Sequence, residues 1–389
     1  MIGFDEALAL VAEAARPLGT EQVALADAHG RVLAAPVIAA VDAPPADVSA
    51  MDGYAVREAD LPGRLRVAGE SAAGVVAPPS LAPGSCVRIF TGAPVPAGAD
   101  RVVIQEEVER DGEFASFGNP GPGRHIRKRG TDFARGTILL EPGRLLDPRA
   151  LIAAAGADVA EVEVRRRPRV ALLATGDELA DPGTARTTAG AIPDSVSLGV
   201  AALAADWGAE IALRRRLGDE LPALEQAAAE ALSAADVVVV TGGASVGERD
   251  HGRAMFAPAG LELIFSKVAI KPGKPVWFGR AGGRLVVGLP GNPNSALATA
   301  RLLLAPLLAG LTGRPPMLYW RRATLAQALP ATGGRETFYR AASDGDAVRP
   351  LTNQDSGAQS TLAAADLLIR RAAGAPAGEA GEEVDVIDF

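Results

Sequence analysis

The stretch IALRRRLGDELPALEQAAAEALSAADVVVVTGG, Ile211 to Gly243, changes rhythm twice. IALRRRLGDE reads as a strand and turn, LPALEQAAAEALSAA has apolar residues at helical spacing, and DVVVVTGG is a continuous apolar strand. Upstream, RVALLATGDEL after RRRP (165 to 168) is a buried strand and turn, and DSVSLGVAALAADWGAE is a helix. The alternation predicts a doubly wound parallel α/β sheet. Its loops TGDEL, LGDE and TGGASVGERD then share the carboxyl edge, where open α/β sheets bind ligands.

A chain of 389 residues exceeds one ordinary core, and domain-size priors give roughly two to four domains. Aromatics are 4% of the residues, so the interior is built from Ala, Val and Leu. A net charge of −8 argues against a nucleic-acid partner but leaves room for local anion sites. Cys86 is the single cysteine, and His29, His125 and His251 are far apart in sequence. Internal disulfides are therefore excluded and zinc or a histidine metal cluster is not expected. MIGFDEALALVAEAARPLG has acids where a secretory signal has bases, and LLLAPLLAGL (302 to 311) is short for a bilayer. The expected setting is cytoplasmic, with no membrane partner.

Around the sheet domain (169–316) the pattern differs. Residues 43–137 alternate in short segments punctuated by Gly and Pro, the mark of an inserted β-rich domain. It interrupts an N-terminal helical and linker domain, 1–42 with 138–168, in which Asp147 caps a helix opened by Pro148. We expect that helix to pack with the first one. Residues 317–389 return to short alternating segments, predicting a C-terminal β-barrel-like domain.

Four motifs carry chemistry. TGGASVG offers Gly242, Gly243, Ser245 and Gly247 for close backbone approach to a phosphate, although a tight turn alone explains them, and it has no lysine. SKVAIKPGKPVWFG supplies Lys267, Lys271 and Lys274 around a proline-stiffened turn; compact ammonium groups suit tetrahedral oxyanions, and a solvated turn is the plain alternative. RLVVGLPGNPNSALATA runs a strand through Pro290, Gly291, Asn292 and Pro293 into a helix, with Asn292 or Asn294 placed to cap it and Ser295 to receive an anion. Asp177, Glu178, Asp219 and Asp250 occupy corresponding loops; each alone reads as a helix-start acid, while jointly they suit Mg²⁺ beside phosphates. In the insertion, Asp52 reads as an Asx-turn residue and HIRKRGTDF groups Arg127, Lys128 and Arg129 with Asp132.

In order, SAMDGYAV, TGAPVPAGAD, IRKRGTDF, ATGDEL, TGGASVGERD, AIKPGKP, GLPGNPNS, GRETFYR and QDSGAQSTLA resemble the molybdopterin molybdenumtransferases, a family that takes in the C-terminal domain of gephyrin. The resemblance implies an elongated homodimer whose sheet domain is like the molybdopterin adenylyltransferases. It implies that molybdate is inserted into adenylylated molybdopterin with Mg²⁺ and release of AMP. By matching position, Lys271, Lys274, Ser295, Arg335 and Ser356 resemble the molybdate-binding group, and Asp219 and Asp250 the metal carboxylates. Glu178 and Lys267 match the nucleotide and pterin pocket; Asp52, Thr91, Arg127 and Asp132 match functional positions of the insertion. The chain departs from the family pattern at Ala46, Val48, Val196, Asn294 and Asp355, the last adding a negative charge beside Ser356. An adenylyltransferase and a non-enzymatic peptide-binding scaffold are the competing readings. Adenylyltransferases and downstream molybdoenzyme maturation proteins are the implied partners.

Overall fold

The segment from Arg169 to Leu289 forms one six-stranded sheet in the computed structural model, which describes residues 1–74, 78–242 and 251–389. We label β1 Arg169–Thr175, α1 Val196–Asp206, β2 Glu210–Leu217, α2 Leu221–Ala234, β3 Val237–Thr241, β4 Glu262–Phe265, β5 Trp277–Ala281, β6 Arg284–Leu289 and α3 Pro293–Leu311. The strand order is β2-β1-β3-β6-β5-β4. β2, β1, β3 and β6 are parallel, while β5 runs antiparallel to both β6 and β4. β4 therefore points the same way as the parallel strands, and the β4–β5 connection emerges at their carboxyl edge.

Side-chain alternation explains the valine run of β3. Val237 and Val239 join Val170, Leu172, Val200 and Val287 in one core, whereas Val238 and Val240 join Leu173, Leu224, Ala228 and Ala231 in another. Both faces are thus covered by helices, as the doubly wound reading expects.

The first core also takes in the N-terminal helix Phe4–Ala14, through Phe4, Ala7 and Val11. This corrects the expected partnership between the first helix and the one opened by Pro148, which belongs to a different core. α3 is longer than its apolar stretch suggests: it spans 19 residues, and 89% of its most apolar window is buried inside the fold. A π-turn at Ala300–Leu304 precedes Pro306, where the missing N–H interrupts the regular ladder.

The C-terminal strands Arg321–Leu325, Glu336–Asp344, Ala347–Pro350, Leu367–Arg371 and Glu383–Asp388 close on themselves as a five-stranded barrel. Its wall is extended by Ile270–Lys271, from the β4–β5 connection, which pairs in parallel with Glu336 and Thr337.

Residues 22–29 and 33–164 form a separate compact unit. Its six-stranded sheet runs from Arg101–Ile104 through Gly53–Val56, Ser85–Ile89, Gly63–Ser71 and Phe114–Phe117 to Val108–Asp111. Its helix Pro148–Gly156 starts as the sequence predicts, with Asp147 accepting the Ala150 N–H at 2.9 Å, and packs on Ala28, Leu33, Val37 and Val164. Cys86 is fully buried there, and burial pushes its thiol up to about 11.

At the amino edge of the large sheet, Asp236 gathers three strand starts. It accepts both Arg166 Nη groups at 3.0 Å and the Arg169 N–H at 2.9 Å, and lies 3.6 Å from Arg284. Burial works to raise this carboxyl, but the Arg166 fork, the Arg169 N–H and the guanidinium charges outweigh it and hold it below its ordinary value. A depressed carboxylate contributes stability that is complete above its unfolded pKa, about 3.9, and is lost as pH falls through the lower folded value. Asp236→Asn is expected to cost about 1–3 kcal/mol at neutral pH. In denaturant melts its deficit against the native chain should shrink below pH ~4; a pH-independent deficit would contradict this role.

Candidate active site

The strand order reverses between β1 and β3, the position at which open sheets form a crevice. The two strand ends are very close there. Gly242 has φ 87° and a Cβ on it would lie 2.4 Å from the Thr175 carbonyl oxygen, so only glycine fits. Gly291, after β6, comes next to it, with its would-be Cβ 3.4 Å from Gly242 Cα. The turns after β1 and β2 are joined by Asp177, whose Oδ1 accepts the Asp219 N–H at 3.0 Å. The half-buried Asp219 carboxylate itself has no partner among the described residues. Glu178 is exposed on the same edge and folds its carboxylate over Gly176. Gly243, Ser245, Gly247 and Asp250 lie outside the described residues. Among the described residues no cluster of three or more His, Cys, Asp or Glu side chains could hold a metal ion.

Beside this edge lies a cavity of about 600 Å³, lined among others by Lys271, Lys274, Ser295, Arg335, Asp355 and Ser356. Three contacts assemble it. Barrel pairing fixes Ile270–Lys271. Gly273, at φ 102°, lets the KPGK turn press on α3, where a Cβ would meet Thr299 Cγ2 at 2.1 Å. Arg335 is drawn back to the same turn by its Nη1, which donates to the Ile270 carbonyl at 3.3 Å. Lys271 and Lys274 are exposed and form no ion pair with a described residue. Lys267 lies on the same connection, half-buried, but does not line this cavity.

The two asparagines behave differently from the capping expectation. Asn292 holds the N-cap position of α3 but its side chain makes no cap bond. Asn294 is fully buried, and its Nδ2 reaches the carbonyls of Asp355, Ser356 and Ala358 instead. The Asp355 carboxylate is turned to its own loop, where Oδ1 accepts the Gly357 N–H at 2.8 Å. Sequence reasoning missed Asn294, Gln354 and Arg340 as supports of the Ser356 loop. The available signal was an amide beside the buried start of an apolar helix.

In the separate unit, Asp52 and Thr91 meet. Thr91 donates its N–H (2.7 Å) and hydroxyl (2.8 Å) to Asp52 Oδ1, so Asp52 bridges two loops rather than forming the expected local Asx turn. The Thr91 N–H foremost, then its hydroxyl, hold this carboxyl below its usual range, aided by the Arg88 charge. The basic group of IRKRGTDF is largely neutralised: Lys128 pairs with Asp47 at 2.7 Å and Arg129 with Asp42 at 2.5 Å. Arg127 and Asp132 stay exposed, without side-chain partners among the described residues.

Comparison with known proteins agrees with this architecture. Residues 2–157 match the MoeA N-terminal region (domain I and II), 171–310 a probable molybdopterin binding domain, and 322–389 the MoeA C-terminal region (domain IV). A Haemophilus influenzae protein named molybdopterin molybdenumtransferase is 40% identical over 302 residues, covering 77% of this chain and 74% of its own. The chain belongs to the molybdopterin molybdenumtransferase family. Molybdopterin molybdenumtransferase 2 of Mycobacterium tuberculosis is 36% identical over 360 residues, 88% of each chain. A crystal structure of a molybdopterin biosynthesis MoeA protein from Pyrococcus horikoshii aligns over all of this chain and of its own, with TM-score 0.85 and 28% identity.

Within this molybdenumtransferase fold, the fit of Gly273 against Thr299 sets where the lysines stand. Thr299 cannot yield easily, because it is fully buried and its hydroxyl donates to the Ser295 carbonyl at 2.7 Å. Gly273→Ala is expected to destabilise the protein by about 1–3 kcal/mol in denaturant titrations, from overpacking together with the strain of a side chain at φ 102°. Adding Thr299→Ser, which removes only the methyl group, should restore part of the loss. No recovery in the double variant would show that the contact is not the cause.

Proposed function

We propose that this family member transfers molybdenum from molybdate to adenylylated molybdopterin, with release of AMP. The observation that carries this reading is the convergence of Lys271, Lys274, Arg335, Ser295 and Ser356 on one cavity beside the carboxyl edge. Two ammonium groups and a guanidinium offset the charge of a tetrahedral dianion, and two hydroxyls supply neutral donors. The reading places the nucleotide and pterin along the neighbouring edge, by Gly242, Gly291 and Glu178, where a strand-order reversal favours a crevice. Because Arg335 and Ser356 come from the barrel segment, the cavity supports molybdate insertion over adenylyl transfer by the sheet domain alone.

The donor chemistry of the edge also suits a hard cation. Asp177 is engaged by a backbone N–H while Asp219 is not, and Mg²⁺ is typically bound by one or two carboxylates together with substrate phosphates. Mg²⁺ held by Asp219, with Asp250, would neutralise charge on the phosphoanhydride as AMP leaves. The same reading includes a homodimer, a molybdopterin adenylyltransferase as supplier of substrate, and a cytoplasmic setting, which the buried, unpaired Cys86 suits.

AMP release from purified protein supplied with adenylylated molybdopterin, Mg²⁺ and molybdate, repeated with tungstate, tests the proposal. Lys271→Ala and Lys274→Ala should each lower kcat/KM for the oxyanion about 10- to 100-fold, the effect of losing one charge-assisted contact. Undiminished turnover in the double lysine variant would overturn the assignment. Asp219→Asn should raise the Mg²⁺ concentration needed for half-maximal AMP release; an unchanged requirement would remove Asp219 from the metal site.

A further inference from the structure

We propose that Asn294 is a positioning residue for the oxyanion cavity, coupling the start of α3, which carries Ser295, to the loop that carries Ser356. This rests on the oxyanion reading above and assigns a role to a side chain that itself does not line the cavity.

Asn294 is 0% exposed. Its Nδ2 lies 3.0 Å from the Asp355 carbonyl, 3.2 Å from that of Ser356 and 3.0 Å from that of Ala358. Its backbone N–H donates to the Ser356 carbonyl as well, at 3.2 Å. Oδ1 has no partner among the described residues, so the side chain is held through donation alone. Reversing the amide would set Oδ1 against three carbonyl oxygens, which fixes its orientation. From the other side, the buried Arg340 donates Nη2 to the Asn353 and Asp355 carbonyls, each at 3.1 Å. Gln354 locks the loop to the same barrel strand, accepting the Arg340 N–H at 3.0 Å and donating to the Arg340 carbonyl at 2.9 Å.

The physical effect concerns lone pairs. A loop beside an anion must keep its carbonyl oxygens away and offer donors, since carbonyl dipoles repel negative charge. Asn294 draws three carbonyls onto a residue outside the cavity and leaves Ser356 among the residues that line it. It also ties the Ser356 loop to Ser295, its own neighbour in sequence, so both serines are positioned through one buried residue.

The test is molybdate binding to the full chain by titration calorimetry, with Asn294→Leu, Ser356→Ala and their combination. Asn294→Leu should weaken molybdate about 10- to 100-fold, the range for losing a donor set that orients a contact to a charged ligand. In the Ser356→Ala background the same substitution should add little, because coupled residues are non-additive. In turnover, KM for molybdate should rise while kcat at saturating molybdate is kept, which general destabilisation would not produce. Asn294→Ser, smaller and unable to span three carbonyls, should behave likewise and serves if the leucine variant does not fold. Either folded variant binding molybdate as the native chain does, or full additivity with Ser356→Ala, overturns the proposal. If the native chain binds molybdate and Lys271→Ala weakens it, those results count against Asn294 alone; no binding by the native chain overturns the oxyanion reading and this proposal with it.

Discussion

The pairing of Ile270–Lys271 with Glu336 and Thr337 is the constraint on which the site depends. This two-residue strand belongs in sequence to the connection between two strands of the large sheet, yet its hydrogen bonds are made in the barrel. Without it, the KPGK turn would be an exposed loop with two mobile lysines. With it, the lysine backbone is fixed on one side by the barrel and on the other by Gly273 against Thr299. The continuity of the hydrophobic core gives that arrangement its rigidity. Phe338 of the barrel packs edge-on to Phe4 at 4.9 Å, and both share one core with Leu172 and Val287 of the sheet.

Charge is organised locally against the global balance. The chain is acidic, with a net charge of −8, but many of its arginines are tied to carboxylates in pairs such as Arg166–Asp236 and Arg370–Glu336. Lys271 and Lys274 are not paired in this way with any described residue. Unpaired cations beside a cavity keep their full attraction for an incoming anion, because no carboxylate has to be displaced first. Among the described residues lining the cavity Asp355 is the one acid, and its bond to the Gly357 N–H draws part of its charge into the loop.

The parallel sheet was legible because its strands are uninterrupted apolar runs and its helices keep regular spacing. The glycine loops after β3 and β6 were legible as close approaches, and the packing shows why: Gly242 has no room for a side chain, and Gly291 lies directly against it. Block order and the resemblance located the cavity lysines. Long-range pairing is what a sequence hides. The partner of Asp52 is Thr91 and the partners of Lys128 and Arg129 are Asp47 and Asp42, all distant in sequence. Capping is a local rule and misreads Asn294, whose acceptors lie 61, 62 and 64 positions along the chain. The same limit assigns the first helix to the wrong core: an amphipathic pattern says that a face is buried, but not against what.

Cys86 has a consequence of a practical kind. It is the chain's single thiol, fully buried and raised to about 11, so burial both screens it from solvent and disfavours the reactive thiolate. Reaction of the native fold with maleimides and other sulfhydryl reagents is therefore disfavoured. Cysteines introduced at exposed positions, one in each compact unit, would accept spin labels or fluorophores without first removing the natural residue, and the distance between the units could be followed during turnover.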